Sequence, residues 1–238
     1  MPPEPLSSST VNFIAQVWQA YASLMQFTPA SDDPSLGGKL LYVGELDGSG
    51  RALAIAANIA GAATLAVSAQ MAALREAQRE GAIDFIVNTL DEALRILKNE
   101  IRKRQPVAVG VSIATAAIET EMIERGVLPD LLPPTSTAPL PAAFARFLSQ
   151  GAQLVRIDRT QTSQRLMVWS APAEYAQNRA AFESKLMEQL PEGDYFNRRW
   201  LRLSPRYLGS AARRLRSIAC DESTAAKVMA QLGPPLGL

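Results

Sequence analysis

Between Lys39 and Leu132 short apolar runs alternate with helical segments, and few folds accommodate such a pattern. The runs Lys39–Val43, Ala63–Val67, Ile83–Val87, Pro106–Ser112 and Leu128–Leu132 read as strands, too continuously apolar to leave one face in water. Between them lie Gly50–Ala60, Ala69–Glu80, Leu90–Arg104 and Thr115–Arg125, each with the length of a helix. Parallel strands need crossovers of this kind, so the spacing predicts an α/β fold, a parallel sheet of four or five strands with helices on both faces. The helix from Leu90 is the best specified. Thr89 and Glu92 have capping-box spacing, Leu90, Leu94, Leu97 and Ile101 form an apolar stripe, and Arg102, Lys103 and Arg104 sit at the negative end of the dipole.

Residues 1–38 read as a Pro/Ser-rich tail and a helix from Thr10 to about Gln26, and residues 39–140 as the α/β domain. Pro133, Pro134, Pro139 and Pro141 mark a boundary loop. Beyond it, residues 141–238 read as a smaller α+β portion, either a second domain or an extension of the same sheet. Its expected elements are a helix at Ala142–Gln150, strands at Leu154–Asp158 and Arg165–Ser170, a helix at Glu174–Leu190, a strand at Trp200–Leu203, and helices at Ser210–Ala219 and Ser223–Leu232.

Composition removes several chemistries. The 238 residues include no histidine and one cysteine, which excludes histidine- or thiolate-ligated zinc, any triad with a histidine base, and an intramolecular disulfide. No metal site and no catalytic residue is assigned. Cys220, beside Asp221 and Glu222, reads as a structural thiol. From Ala52 to Leu74 no charge occurs over 23 residues, but Asn58, Gly61, Thr64, Ser68 and Gln70 interrupt the run, so a helix and a buried strand are expected there and not a membrane span. The opening MPPEPLSSST has no basic n-region, so no secretory signal and a cytoplasmic location are expected.

Charge is unevenly spread. Up to Leu140 the net charge is −5, and from Pro141 onward it is +6. Arg198, Arg199, Arg202, Arg206, Arg213, Arg214 and Arg216 fall within segment 198–216, interleaved with Trp200 and Tyr207. Arginine with aromatics suits phosphate contact and base stacking, but a pI near 7.8 lacks the basicity of a dedicated nucleic-acid binder. The expectation is docking onto carboxylates such as Glu76, Glu80, Asp84 or Glu119, within one chain or across a homodimer or other protein partner.

Gly48-Ser49-Gly50 stands where the first strand turns into its helix, and two readings stay open. It is a tight turn that needs glycine, or a seat where helix N–H groups meet a small anionic ligand. In the second reading an anion lies over the amides of Gly48, Ser49 and Gly50, and Gly50→Asp abolishes binding while leaving the fold intact.

Residues 39 to about 141 resemble the NAD-binding, Rossmann-like part of urocanase (urocanate hydratase). The resemblance is collinear over GKLLYVGELDGSGRALAIAANIAG, NTLDEALRILKNEIRKRQPVAVGV and ERGVLPDLLPPTST. It implies a Rossmann-like parallel sheet and a cofactor site for NAD. The family's phosphate turn falls on Gly48, Ser49 and Gly50. Its acidic ribose ligand falls on Ser68, its Asn-Ala pair on Ala114 and Thr115, and its Gln-Thr-Ser-Ala-His loop on Thr135, Ser136, Thr137, Ala138 and Pro139. With serine for the acid and proline for the histidine, the expectation is a nucleotide- or phosphate-ligand-binding protein that has lost urocanate hydratase activity and serves as a ligand sensor or assembly subunit. The alternatives are a diverged NAD-dependent lyase working without histidine and a phosphosugar-binding domain.

Overall fold

A computed structural model describes residues 8–29, 31, 33–135, 139–156, 165–170, 179–209 and 215–235. The chain divides into two compact units, one of Ala20–Pro29 and Ser35–Ile157, the other of Met1–Gln19, Ala30–Pro34 and Asp158–Leu238. Helix α1 (Ser8–Met25) contributes to both. The larger unit holds β1 (Leu40–Glu45), α2 (Gly48–Ala60), β2 (Ala63–Val67), α3 (Met71–Glu80), β3 (Phe85–Val87), α4 (Leu90–Lys103), β4 (Val107–Val111), α5 (Thr115–Glu124), β5 (Leu131–Leu132), α6 (Ala142–Ser149) and β6 (Gln153–Leu154). The strands form one parallel sheet in the order β3-β4-β2-β1-β5-β6.

The chain moves along the sheet in one direction from β1 to β3, then turns back and passes the other way to β6. Because crossovers between parallel strands keep one hand, reversing direction means changing face. Helices α4, α5 and α6 accordingly share one face, where Leu90, Leu94, Leu97, Ile118, Met122, Phe144 and Phe147 pack on Tyr42, Leu65, Val67, Val109 and Val111. Helices α2 and α3 take the other face. A side-chain carbon added at Gly50 of α2 would meet Val43, and one at Gly110 of β4 would meet Leu74 of α3. The capping box of α4 forms as the spacing predicts, with Thr89 accepting from Glu92 N–H and the Glu92 carboxylate accepting from Thr89 N–H. Asp130 fastens β5 to β1: its Oδ2 accepts from Leu40 N–H at 2.8 Å, and its Oδ1 pairs with Lys39 Nζ at 2.8 Å.

The sheet has six strands, one beyond the expected number, because the segment at Leu154 joins β5 in parallel and does not pair with Arg165–Ser170. The compact unit therefore runs past the boundary placed at residue 140. Phe144 and Phe147 of α6 each meet the Tyr42 ring edge-on at 6.4 Å, which ties that helix to the sheet. Among the described residues no helix is long and apolar enough to cross a membrane. The uncharged stretch instead divides into α2 and β2, with Gly61 in the left-handed conformation at the helix end (φ 96°).

The smaller unit contains β7 (Arg165–Ser170), α7 (Arg179–Glu188), α8 (Tyr195–Tyr207), β8 (Leu215–Cys220) and α9 (Glu222–Leu232), with β7 and β8 antiparallel. Two expectations are corrected. Trp200–Leu203 is helical, within α8, because Asp194 caps the start and Asn197, Trp200, Leu201, Ser204 and Tyr207 bury one helical face. The stretch expected as a helix at Ser210–Ala219 is, where described, strand β8, buried at every position. The arginines are largely used within this unit. Arg198 donates to the carbonyls of Met187, Leu190 and Pro191, Arg199 and Arg202 share Asp33, and buried Arg216 pairs with Glu183. Arg213 and Arg214 lie outside the described residues. The carboxylates expected to receive the arginines are engaged within the larger unit: Glu76 and Glu80 hold Arg51, Asp84 accepts from Ala108 N–H, and Glu119 accepts from Tyr42. Cys220 is buried, and burial first, then Asp221 and Asp194, pushes its thiol up to about 11.

Candidate functional site

The single change of face creates two places where adjacent strands send their outgoing loops to opposite sides, between β2 and β4 and between β1 and β5. Crevices of this kind at the carboxyl ends of strands are where open α/β sheets bind ligands. Six of the eight residues singled out from the sequence, Gly48, Ser49, Gly50, Ser68, Thr115 and Thr135, lie in the described loops and helix starts that follow β1, β2, β4 and β5. Thr135 is half-buried three residues past β5, and Ser136 and Thr137 fall outside the described residues.

At the first turn, β1 bends through a bulge between Tyr42 and Gly44, where Gly44 has φ 76°. Asp47 then caps α2. Its Oδ1 accepts from Gly50 N–H at 2.7 Å and from the Ser49 hydroxyl at 2.7 Å. Burial pushes this carboxyl up, but the hydrogen bonds from Gly50 and Ser49 and nearby Arg51 outweigh it and hold Asp47 below the usual carboxylate range. Gly50 answers a packing need: a Cβ there would stand 2.3 Å from the Glu45 carbonyl oxygen. The expectation that Gly50→Asp leaves the fold intact is thereby overturned, since no side chain fits. At Gly48 an added Cβ would meet nothing within 4 Å.

Ser68 follows β2 and is 1% exposed. Its N–H donates to Val111 O, and its hydroxyl oxygen accepts from Gln70 N–H at 3.2 Å. Thr115, the first residue of α5, donates its hydroxyl to Glu45 Oε2 at 2.9 Å. One turn on, Glu119 accepts from the hydroxyl of Tyr42 at 3.1 Å. Burial raises the Glu119 carboxyl, and burial with the neighbouring carboxylates raises the Tyr42 phenol. This Glu45–Thr115 and Tyr42–Glu119 arrangement was not anticipated from the sequence. Its signal was the four-residue spacing of Thr115 and Glu119 on one helix face, with a carboxylate at the end of β1.

The residues present do not fit a dinucleotide at the first turn. Gly50 N–H, which would face a pyrophosphate, is already taken by a carboxylate, and the end of β2 offers a serine hydroxyl folded back on its own loop where a ribose calls for an acid. Among the described residues no group of three or more acidic or thiol side chains is placed to hold a metal ion.

Sheet order and crossovers define a Rossmann-like α/β domain. The family model described as Urocanase Rossmann-like domain matches residues 17–177, and the chain belongs to the urocanase family. That match extends on both sides of the segment that carries the resemblance.

Proposed function

We propose that this protein is a urocanase-family domain without urocanate hydratase activity, a small-ligand-binding or assembly module built on the family's Rossmann-like sheet. The observation that carries this reading is Ser68. It occupies the end of β2, is nearly fully buried, and accepts from Gln70 N–H, so the position presents neither charge nor an exposed acceptor for a ribose. The ligand that suits the crevice is small and polar. Between β2 and β4 the helices α3 and α5 have Gln70 and Ala114 at their N-caps without a capping side chain, which leaves N–H groups at both helix starts for such a ligand.

The test is a spectrophotometric urocanate assay on the purified full chain, together with mass spectrometry of small molecules released on denaturation. No turnover and no NAD are expected. Enzyme-like loss of urocanate, or NAD released in stoichiometric amount, overturns the reading. One observation favours the alternative of a diverged lyase. The Tyr42–Glu119 pair places a carboxyl of raised pKa on the helix that leaves β4, and groups of this kind serve as acids in catalysis. A retained dinucleotide would select that alternative.

A further inference from the structure

We infer that Asp47 is a specificity-determining residue that closes the first strand–helix turn of the sheet against phosphate, and that it does so by charge and not by bulk. A helix that starts at the carboxyl end of a parallel strand presents free N–H groups and a positive dipole end, the usual seat for an anion. Here the seat is held from within the chain. Asp47 Oδ1 takes both Gly50 N–H and the Ser49 hydroxyl, the two donors that would otherwise meet a ligand. The turn is nevertheless open to solvent, because Asp47, Gly48 and Ser49 are exposed and, apart from these neighbours and the helix's own backbone, no atom stands within 4 Å of a Cβ added at Gly48.

Other charges near the turn act in the same sense. Arg51, next to the glycines, could neutralise a phosphate, but its guanidinium is drawn to Glu76 and Glu80 of α3 at 3.0 Å each. Glu45, exposed at the end of β1, adds a second carboxylate and accepts from Thr115. An incoming phosphate therefore meets fixed negative charge in a space that would admit it. The inference stands apart from the proposed function, since it holds whether or not the β2–β4 crevice takes a ligand.

The test is titration of isotope-labelled full-length protein with inorganic phosphate and with ADP, following the backbone amide resonances of Gly48, Ser49 and Gly50. Wild type is compared with Asp47→Asn and Asp47→Ser, both of which keep a capping oxygen while removing the charge. The three amides should stay unshifted in wild type and shift saturably in the neutral variants, with affinity at least about tenfold above any wild-type binding. Thermal melts establish that each variant is folded, and either variant suffices. Saturable shifts at these amides in wild type overturn the inference, and so does a folded neutral variant that gains no binding. Urocanate turnover is not the readout, so failure here is distinguishable from failure of the proposed function.

Discussion

Glu119 carries a pH dependence that can be stated with its sign. Burial raises its carboxyl, and the hydrogen bond from Tyr42 opposes that rise without cancelling it. A carboxyl whose value is higher folded than unfolded binds more protons in the native state between the two values. Stability therefore falls as pH climbs from the ordinary glutamate range to the raised folded value, and stays at the lower level above it. Glu119→Gln keeps an amide oxygen for Tyr42 and cannot ionise. Its melting temperature should match wild type below the ordinary glutamate range and exceed it at neutral pH. A difference that does not change with pH would contradict this account. At this scale the sequence was half legible. Gly48, Ser49 and Gly50 stand where strand passes into helix, as their sequence indicates, but whether the turn's amides faced a ligand or the chain's own carboxylate depends on rotamer and backbone angle. For the same reason Gly50 looked like a residue for ligand approach, when its neighbour is the carbonyl of its own strand.

Secondary elements were legible where one physical signal dominated. In β2 and β4 the runs are uncharged and apolar but for Thr64, and in α4 periodicity, cap and charge agree, so boundaries came out within a residue or two. Prediction failed where polar residues are buried. Asn197, Arg199, Ser204, Arg216 and Ser217 are all under 9% exposed, and each breaks the pattern by which a helix or strand is recognised. Asn197 shows what such residues contribute. From α8 its side chain accepts from Ala219 N–H at 2.9 Å and donates to Ala219 O at 2.7 Å, occupying backbone groups of β8 as another strand would. Asn197→Ala leaves both groups buried and unpaired, which should cost roughly 2–4 kcal/mol. Urea denaturation followed by circular dichroism measures it, and a loss below about 1 kcal/mol would mean that β8 does not depend on this contact.

At the scale of the molecule, the parallel sheet followed from alternation alone, whereas its far edge did not, because β5 and β6 are two residues each and carry little pattern. The difference can be tested by truncation. A chain ending at Pro141 loses Phe144 and Phe147 from the core around Tyr42, and it should unfold without a cooperative transition. A chain ending at Ile157 keeps them and should unfold cooperatively. Equal stability of the two chains would return the boundary to the proline loop. The order of strands also bears on how the protein reaches its native state. Strands β1 to β4 pair within one stretch of chain, but the contact of Leu40 with Asp130 joins residues 90 apart, after the chain has passed back over β2 and β1. Closing so long a loop is entropically unfavourable until the groups that reward closure are in place. The β1–β5 seam, with Asp130 as its clasp, should therefore be among the last parts of the sheet to zip during refolding, and late protection of Leu40 N–H in pulsed hydrogen exchange is the expected outcome.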